Sequence, residues 1–236
     1  ETGELVDILP SRKLDKIIPY FNRSPLEERE KVKFLVTDMN AAYFQLTKNV
    51  FPTAKLIIDR FHIVKHLNTA FNDFRVREMK RLITNKKKSK ANKLKSNWKL
   101  LLKNQTNISI SEFKTWRSFP SPKYHLLTES MVIDRLLSFS SELKEAYDIF
   151  HLLMYHFRNK DDRSFFELLK NLPDSLDTQF RNKIENLISY EEGIRNALKY
   201  NFSNGKIEAK NTHIKTLKRV SYGFNSFTHM RIRIFL

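Results

Sequence analysis

Three carboxylates and one imidazole in this sequence have types and positions suited to metal-assisted phosphoryl chemistry. Asp38 ends the apolar, β-branched run Lys31–Asp38 (KVKFLVTD), and Asp59 closes a second such run, Ala54–Asp59 (AKLIID). His62 stands one helical turn beyond Asp59, and Glu208 returns far along the chain among lysines. Runs of this kind read as buried strands. In open α/β sheets, sites are built at the carboxyl ends of strands, so parallel neighbours would put Asp38 and Asp59 at one edge. Hard divalent cations favour carboxylate oxygens, and two such ions about 3.5–4 Å apart activate a nucleophile and stabilise a leaving oxygen. Plainer readings stand beside this one. An Asp after a strand is a common helix N-cap, and His62 can equally be a buried, hydrogen-bonded histidine.

The elements that would position these groups follow from the periodicity. Glu4–Leu9 alternates like a strand, and Leu14–Glu30 reads as two short helical pieces because it contains Pro19 and Pro25. Asn40–Val50 has helix length, and Phe51-Pro52 ends it. Strand, helix, strand, helix, strand within the first sixty or so residues is the pattern of an α/β sheet with at least one parallel pair. After Asp59 the period becomes helical. Val64, Leu67, Phe71, Phe74 and Leu82 form one long stripe, and Leu143, Tyr147, Phe150, Met154 and Phe157 another. Ser109-x-x-Glu112 resembles a capping box that opens a helix. Asp161–Leu172 and Asp177–Tyr200 add further helix, and these stripes are read as core. Ser203-Asn204-Gly205 is a turn, followed by a helix from Lys206 to about Arg219. On that helix Glu208, Asn211 or Thr212, Lys215 and Arg219 share a face, with Ile207, Ile214 and Leu217 elsewhere.

The charge is concentrated in two places. The chain has a formal net charge of +17. Arg75–Lys103 holds 12 basic residues against Glu78 alone, and Lys206–Arg233 holds 7 against Glu208 alone, which leaves the rest of the chain neutral. Two local basic blocks on a neutral body point to a polyanion such as nucleic acid. For Lys86–Lys90 taken alone, a solvated face or a loop is the simpler reading. Neither block is paired with an exposed apolar face, which argues against a membrane surface.

Composition excludes several classes. The 236 residues contain no Cys, so a disulfide scaffold, a Cys-based zinc finger and a thiol nucleophile are ruled out, and a reducing interior fits. Only 4 Gly and 7 Pro are fewer than a turn-rich all-β fold uses, and 19 Phe argue against wholesale disorder. Asp59, Arg60, Lys65 and His156 interrupt the best apolar runs before they reach bilayer length. The opening Glu-Thr-Gly-Glu is not a signal peptide, and with no initiator Met the sequence is expected to start inside a larger protein.

Three segments carry a specific resemblance. VTDMNAAY (Val36–Tyr43), FPTAKLIIDRFHIVKHLN (Phe51–Asn68) and SNGKIEAKNTHIKTLKRVSYGF (Ser203–Phe224) resemble signature segments of ISL3-family insertion-sequence transposases, as does the opening TGELVDILPSR (Thr2–Arg12). The resemblance covers nearly the whole chain and implies a DDE transposase. The implied fold class is α/β, with an RNase H-like core incomplete at its N-terminus and a large all-helical insertion. The core would occupy residues 1–62 and 203–236, and the insertion 63–202.

In that family three acids hold two Mg²⁺ (or Mn²⁺) ions. By the resemblance Asp38 is the second acid and Glu208 the third, both metal ligands, while Asp59 and His62 form an accessory element. The family's first Asp precedes the segment at which this sequence starts, so these residues alone are expected to be inactive. Lys206, Lys210, Lys215, Lys218 and Arg219 would grip DNA near the chemistry. Arg75, Arg77, Lys80, Arg81, Lys86, Lys87 and Lys88 would hold it further away. The expected partners are the element's ends and target DNA, the expected assembly a homodimer or larger, and the expected location the bacterial cytoplasm at the nucleoid. The alternative is a non-catalytic nucleic-acid-binding protein derived from such an enzyme; an RNA-processing nuclease ranks below both.

Overall fold

The computed structural model describes residues 5–235 and divides the chain into two compact units. One comprises the residues up to Arg60 together with those from Glu192 onward, and the other is Phe61–Glu191. Among the described residues helix dominates, and the α/β character is confined to one parallel pair of short strands. Among the described residues no helix is long and apolar enough to cross a membrane.

The first unit begins with α1 (Leu14–Phe21) and α2 (Leu26–Glu30), then β1 (Phe34–Thr37), α3 (Ala41–Val50) and β2 (Lys55–Ile58). The helical break expected between Leu14 and Glu30 falls at residues 22–25, while Pro19 sits inside α1. The Asn40 side chain accepts the Ala42 N–H at 3.1 Å and so caps α3. β1 and β2 pair in parallel, Phe34 with Lys55 through Thr37 with Ile58. Ile17, Leu46, Val50 and Phe51 form a buried cluster that Leu9, Phe21 and Leu35 pack against.

The strand expected at Glu4–Leu9 does not form over residues 5–9; Glu4 lies outside the described residues. Alternation needs a partner strand to become a ladder, and among the described residues none pairs there. Asp7 holds the segment instead. Its carboxylate accepts from the Tyr20 hydroxyl at 2.7 Å and the Arg231 guanidinium at 2.9 Å.

The chain re-enters this unit in α11 (Glu191–Lys199), followed by α12 (Gly205–Val220) and α13 (Phe227–Phe235). Gly193 explains how closely α11 approaches β2: a Cβ there would lie 2.8 Å from Ile58 Cγ1. Asn196 Nδ2 donates to the Leu56 carbonyl at 2.8 Å, and the Phe34 ring packs on Tyr200 and Phe202 with centroids 4.8 and 4.7 Å away.

The second unit is helical: α4 (Arg60–Thr84), α5 (Lys88–Ser96), α6 (Trp98–Leu101), α7 (Glu129–Leu137), α8 (Ser141–Arg158), α9 (Asp162–Lys170) and α10 (Thr178–Glu185). Both apolar stripes read from the sequence enter its core. Phe71 of α4 stacks on Phe150 of α8 at 4.8 Å, and Phe74 meets Phe180 of α10 at 5.8 Å. Thr128, Ser140, Asp161 and Asp177 each cap the following helix with a side-chain oxygen.

The capping box expected at Ser109 opens no helix. The Glu112 N–H does donate to Ser109 Oγ at 3.0 Å. However, the Ser109 N–H goes to Glu129 Oε2 at 2.9 Å, and the Lys114 N–H, which a helix would turn to Ile110, goes to the Leu127 carbonyl at 3.2 Å. The continuous helix expected over Asp177–Tyr200 is broken by a 3-10 segment at Asn186–Tyr190.

Candidate active site

The strand register decides where the first two acids stand. Asp38 and Asp59 are the residues immediately after paired strand ends, and the Asp59 N–H donates to the Thr37 carbonyl at 2.8 Å, extending the ladder by one rung. Both acids therefore share the carboxyl edge of the sheet. Their environments differ. Asp38 is half-buried, and its Oδ1 is shielded from solvent with no hydrogen-bond partner among the described residues. A carboxylate oxygen without a donor is costly to bury, and it is the kind of oxygen a hard cation takes. Asp59 is only 4% exposed, and its Oδ2 accepts the backbone N–H of Asn204 at 2.7 Å.

That bond sets the entry of α12. The Asn204 carbonyl in turn accepts the Glu208 N–H at 2.9 Å. Asp59 thus ties the sheet edge to the turn on which the first winding of α12 is built, and Glu208 is an exposed residue of that winding. Nearby, Arg60 donates to Asn201 Oδ1 at 2.7 Å, and Lys55 donates to the Tyr200 hydroxyl at 2.9 Å. The lysine holds the Tyr200 phenol below its usual range. His62 lies in the first turn of α4, its ring edge-on to Phe61 at 5.6 Å. Among the described residues, no group of three or more Asp, Glu or His side chains is gathered as a metal cluster.

The sequence profile of the ISL3 transposase family, described as "Transposase", matches residues 1–234. This chain belongs to the ISL3 transposase family. A curated relative from Lactococcus lactis subsp. lactis, named "ATP-dependent protease", is 39% identical over 113 residues, 47% of this chain. The chain spans about a third of that relative's length (35%). No solved structure matches.

The basic residues of this chain fall into two groups. On α12, Lys206, Lys210, Lys215, Lys218 and Arg219 are all exposed, and no ion pair engages them among the described residues. Ile207 and Ile214 of the same helix line a cavity of about 600 Å³ together with Val36 and Phe202. On α4 the arginines have internal partners. Arg75 is buried and donates to Asn72 Oδ1 and to the Leu94 carbonyl at 3.1 Å, while burial lowers its pKa. Arg77 pairs with Asp177, and Arg81 pairs with Glu78 at 2.8 Å and Glu142 at 3.6 Å. Of these three, Arg75 is buried, Arg77 is half-buried beside Asp177, and Arg81 is exposed beside its carboxylate partners. Charge density alone does not distinguish a cation facing solvent from one facing a carboxylate across the helix bundle. Lys80, Lys86, Lys87 and Lys88 remain exposed.

Sequence reasoning missed the tether from Asp59 to Asn204 and the close approach at Gly193. The one available signal was Gly193 itself, a glycine inside a helical stretch with no turn beside it.

Proposed function

We propose that this chain carries part of the RNase H-like catalytic core of a DDE transposase, formed by residues 1–62 and 203–236 and interrupted by a helical insertion at 63–202. The observation that carries the reading is the buried Oδ1 of Asp38, without a partner among the described residues, at a strand end whose neighbour, Asp59, anchors the helix bearing Glu208. Asp38 and Glu208 would hold Mg²⁺ or Mn²⁺ as part of a two-ion site. When bound, such ions supply activation of the attacking oxygen and stabilisation of the leaving one. Asp59 is a positioning residue whose carboxylate is already engaged by the Asn204 amide.

The exposed cations of α12 lie along the same helix as Glu208 and would bind the phosphodiester backbone there, with Lys80, Lys86, Lys87 and Lys88 touching DNA elsewhere. Phosphate contacts position DNA without reading its sequence. The partners in this reading are the element's ends and its target, handled by a homodimer or larger assembly in the bacterial cytoplasm. The family match extends over essentially the whole chain and the protease-named relative over less than half of it, which favours DNA over a peptide as substrate.

The test uses the full-length transposase and a plasmid bearing the element's ends. Asp38→Asn and Glu208→Gln are each expected to abolish Mg²⁺-dependent nicking while leaving retention of the plasmid in gel-shift assays intact. Nicking that persists in both variants would overturn the assignment. A full-length protein that binds the plasmid and never nicks it would establish the non-catalytic alternative.

A further inference from the structure

The second unit contains a cleft that the carboxylate edge does not use. It has a volume of about 1040 Å³ and lies between α5 and the turn at residues 116–118. Lys88, Asn92, Lys93 and Lys95 form one wall, Trp116 and Arg117 the other, and no carboxylate lines it. Its floor is prebuilt. Lys114 and Leu127 exchange backbone bonds of 3.2 and 3.0 Å, and the Phe119 N–H closes the turn on the Trp116 carbonyl at 2.9 Å. The Trp116 indole N–H donates to the Leu127 carbonyl at 2.9 Å, which fixes the ring. Asn97 Nδ2 links the two walls by donating to the Lys93 carbonyl at 2.8 Å and Ser118 Oγ at 2.9 Å.

The cations divide by role. Lys93 is held with its ammonium 4.6 Å from the Phe119 ring centroid. Lys88, Lys95 and Arg117 are exposed and make no ion pair among the described residues. Backbone-tracking cations beside a fixed aromatic ring are the arrangement by which proteins hold unpaired nucleic-acid strands: phosphates meet the cations and a base stacks on the ring. A paired base keeps its faces inside the duplex, and an acidic peptide brings charge without a ring to stack.

We infer that this cleft binds a single-stranded stretch of nucleic acid, with phosphates on Lys88, Lys95 and Arg117 and a base against Trp116. The inference goes beyond the strand-transfer reading and requires neither Asp38 nor Glu208. The chain has two tryptophans, so Trp98→Phe leaves Trp116 as the sole indole reporter. Titration of that protein with a (dT)₁₅ oligonucleotide, in EDTA so that metal chemistry plays no part, is expected to quench Trp116 emission saturably. Lys95→Glu with Arg117→Glu should raise the Kd at least tenfold with an unchanged thermal melt, as both side chains are exposed. Trp116→Ala, followed by anisotropy of a labelled oligonucleotide, should weaken binding roughly 5- to 150-fold, the span of one stacked base, while Trp116→Phe should retain most of it. Oligonucleotide binding that leaves Trp116 emission unchanged would overturn the inference. So would equal quenching by a duplex of the same length or by polyglutamate.

Discussion

Asp59 and Asn204 are joined by a 2.7 Å hydrogen bond across 145 residues of sequence. The carboxylate at the end of β2 receives the backbone N–H that precedes α12, and the chain between them passes through the whole second unit. This bond couples the sheet edge to the entry of the last long helix, alongside Asn196 on the Leu56 carbonyl and Arg231 on Asp7.

Replacing Asp59 by Ala removes the acceptor and leaves the Asn204 amide without its partner, a loss of about 1–3 kcal/mol. Asp59→Asn keeps a side-chain carbonyl and should cost less. Urea denaturation measures the difference, and hydrogen exchange should show faster exchange at the first amides of α12 in the alanine variant.

Gly193→Ala sets two effects against each other. Helix propensity favours alanine by about 1 kcal/mol, but its Cβ would lie 2.8 and 2.9 Å from Ile58 Cγ1 and Cδ1. Ile58 is fully buried, so it has little room to move, and overpacking of about 1–3 kcal/mol should win. Combining Gly193→Ala with Ile58→Val should recover part of the loss, and a double-mutant cycle should therefore show favourable coupling.

His151 makes stability depend on pH. It is buried in α8, its Nε2 lies 3.0 Å from the Leu101 carbonyl, and burial lowers its pKa. The unfolded chain, with histidine near its ordinary value of about 6.5, then binds a proton the folded chain resists. This group therefore costs nothing well above that value and destabilises the fold as the pH falls through and below it. The urea midpoint should drop between pH 7 and pH 5, and His151→Gln should flatten that slope.

The two kinds of basic residue should separate by salt dependence. Lys210→Gln with Lys215→Gln should weaken duplex binding and reduce the slope of log K against log salt by about 0.9 for each phosphate no longer neutralised, leaving the melting temperature unchanged. Arg75→Gln should leave the salt slope alone and destabilise the second unit by about 1–3 kcal/mol, because it leaves the buried Leu94 carbonyl without its donor.

Local patterning in the sequence determined much of this protein. Two β-branched runs ending in Asp38 and Asp59, the helical stripes through Phe71 and Phe150, and the Ser203-Asn204-Gly205 turn are each settled by neighbours within a few residues. The patterns are local, although β1 and β2 form a ladder only with each other and Phe71 is buried against Phe150 of another helix. The expected strand at residues 5–9 and helix after Ser109 failed because a ladder and a propagating helix each need something a short motif does not contain: a partner strand, or backbone groups that no distant segment takes, as Leu127 takes Lys114. Only the tertiary structure decided that Asp59 is a tether, that Asp38 holds a buried oxygen without a partner among the described residues, and that Arg75 is buried while Arg77 and Arg81 meet carboxylates. Each of these depends on which atoms arrive from distant sequence, and a side chain's charge or hydrogen-bonding capacity is the same in the chain whether it meets solvent, a carboxylate or a backbone amide after folding.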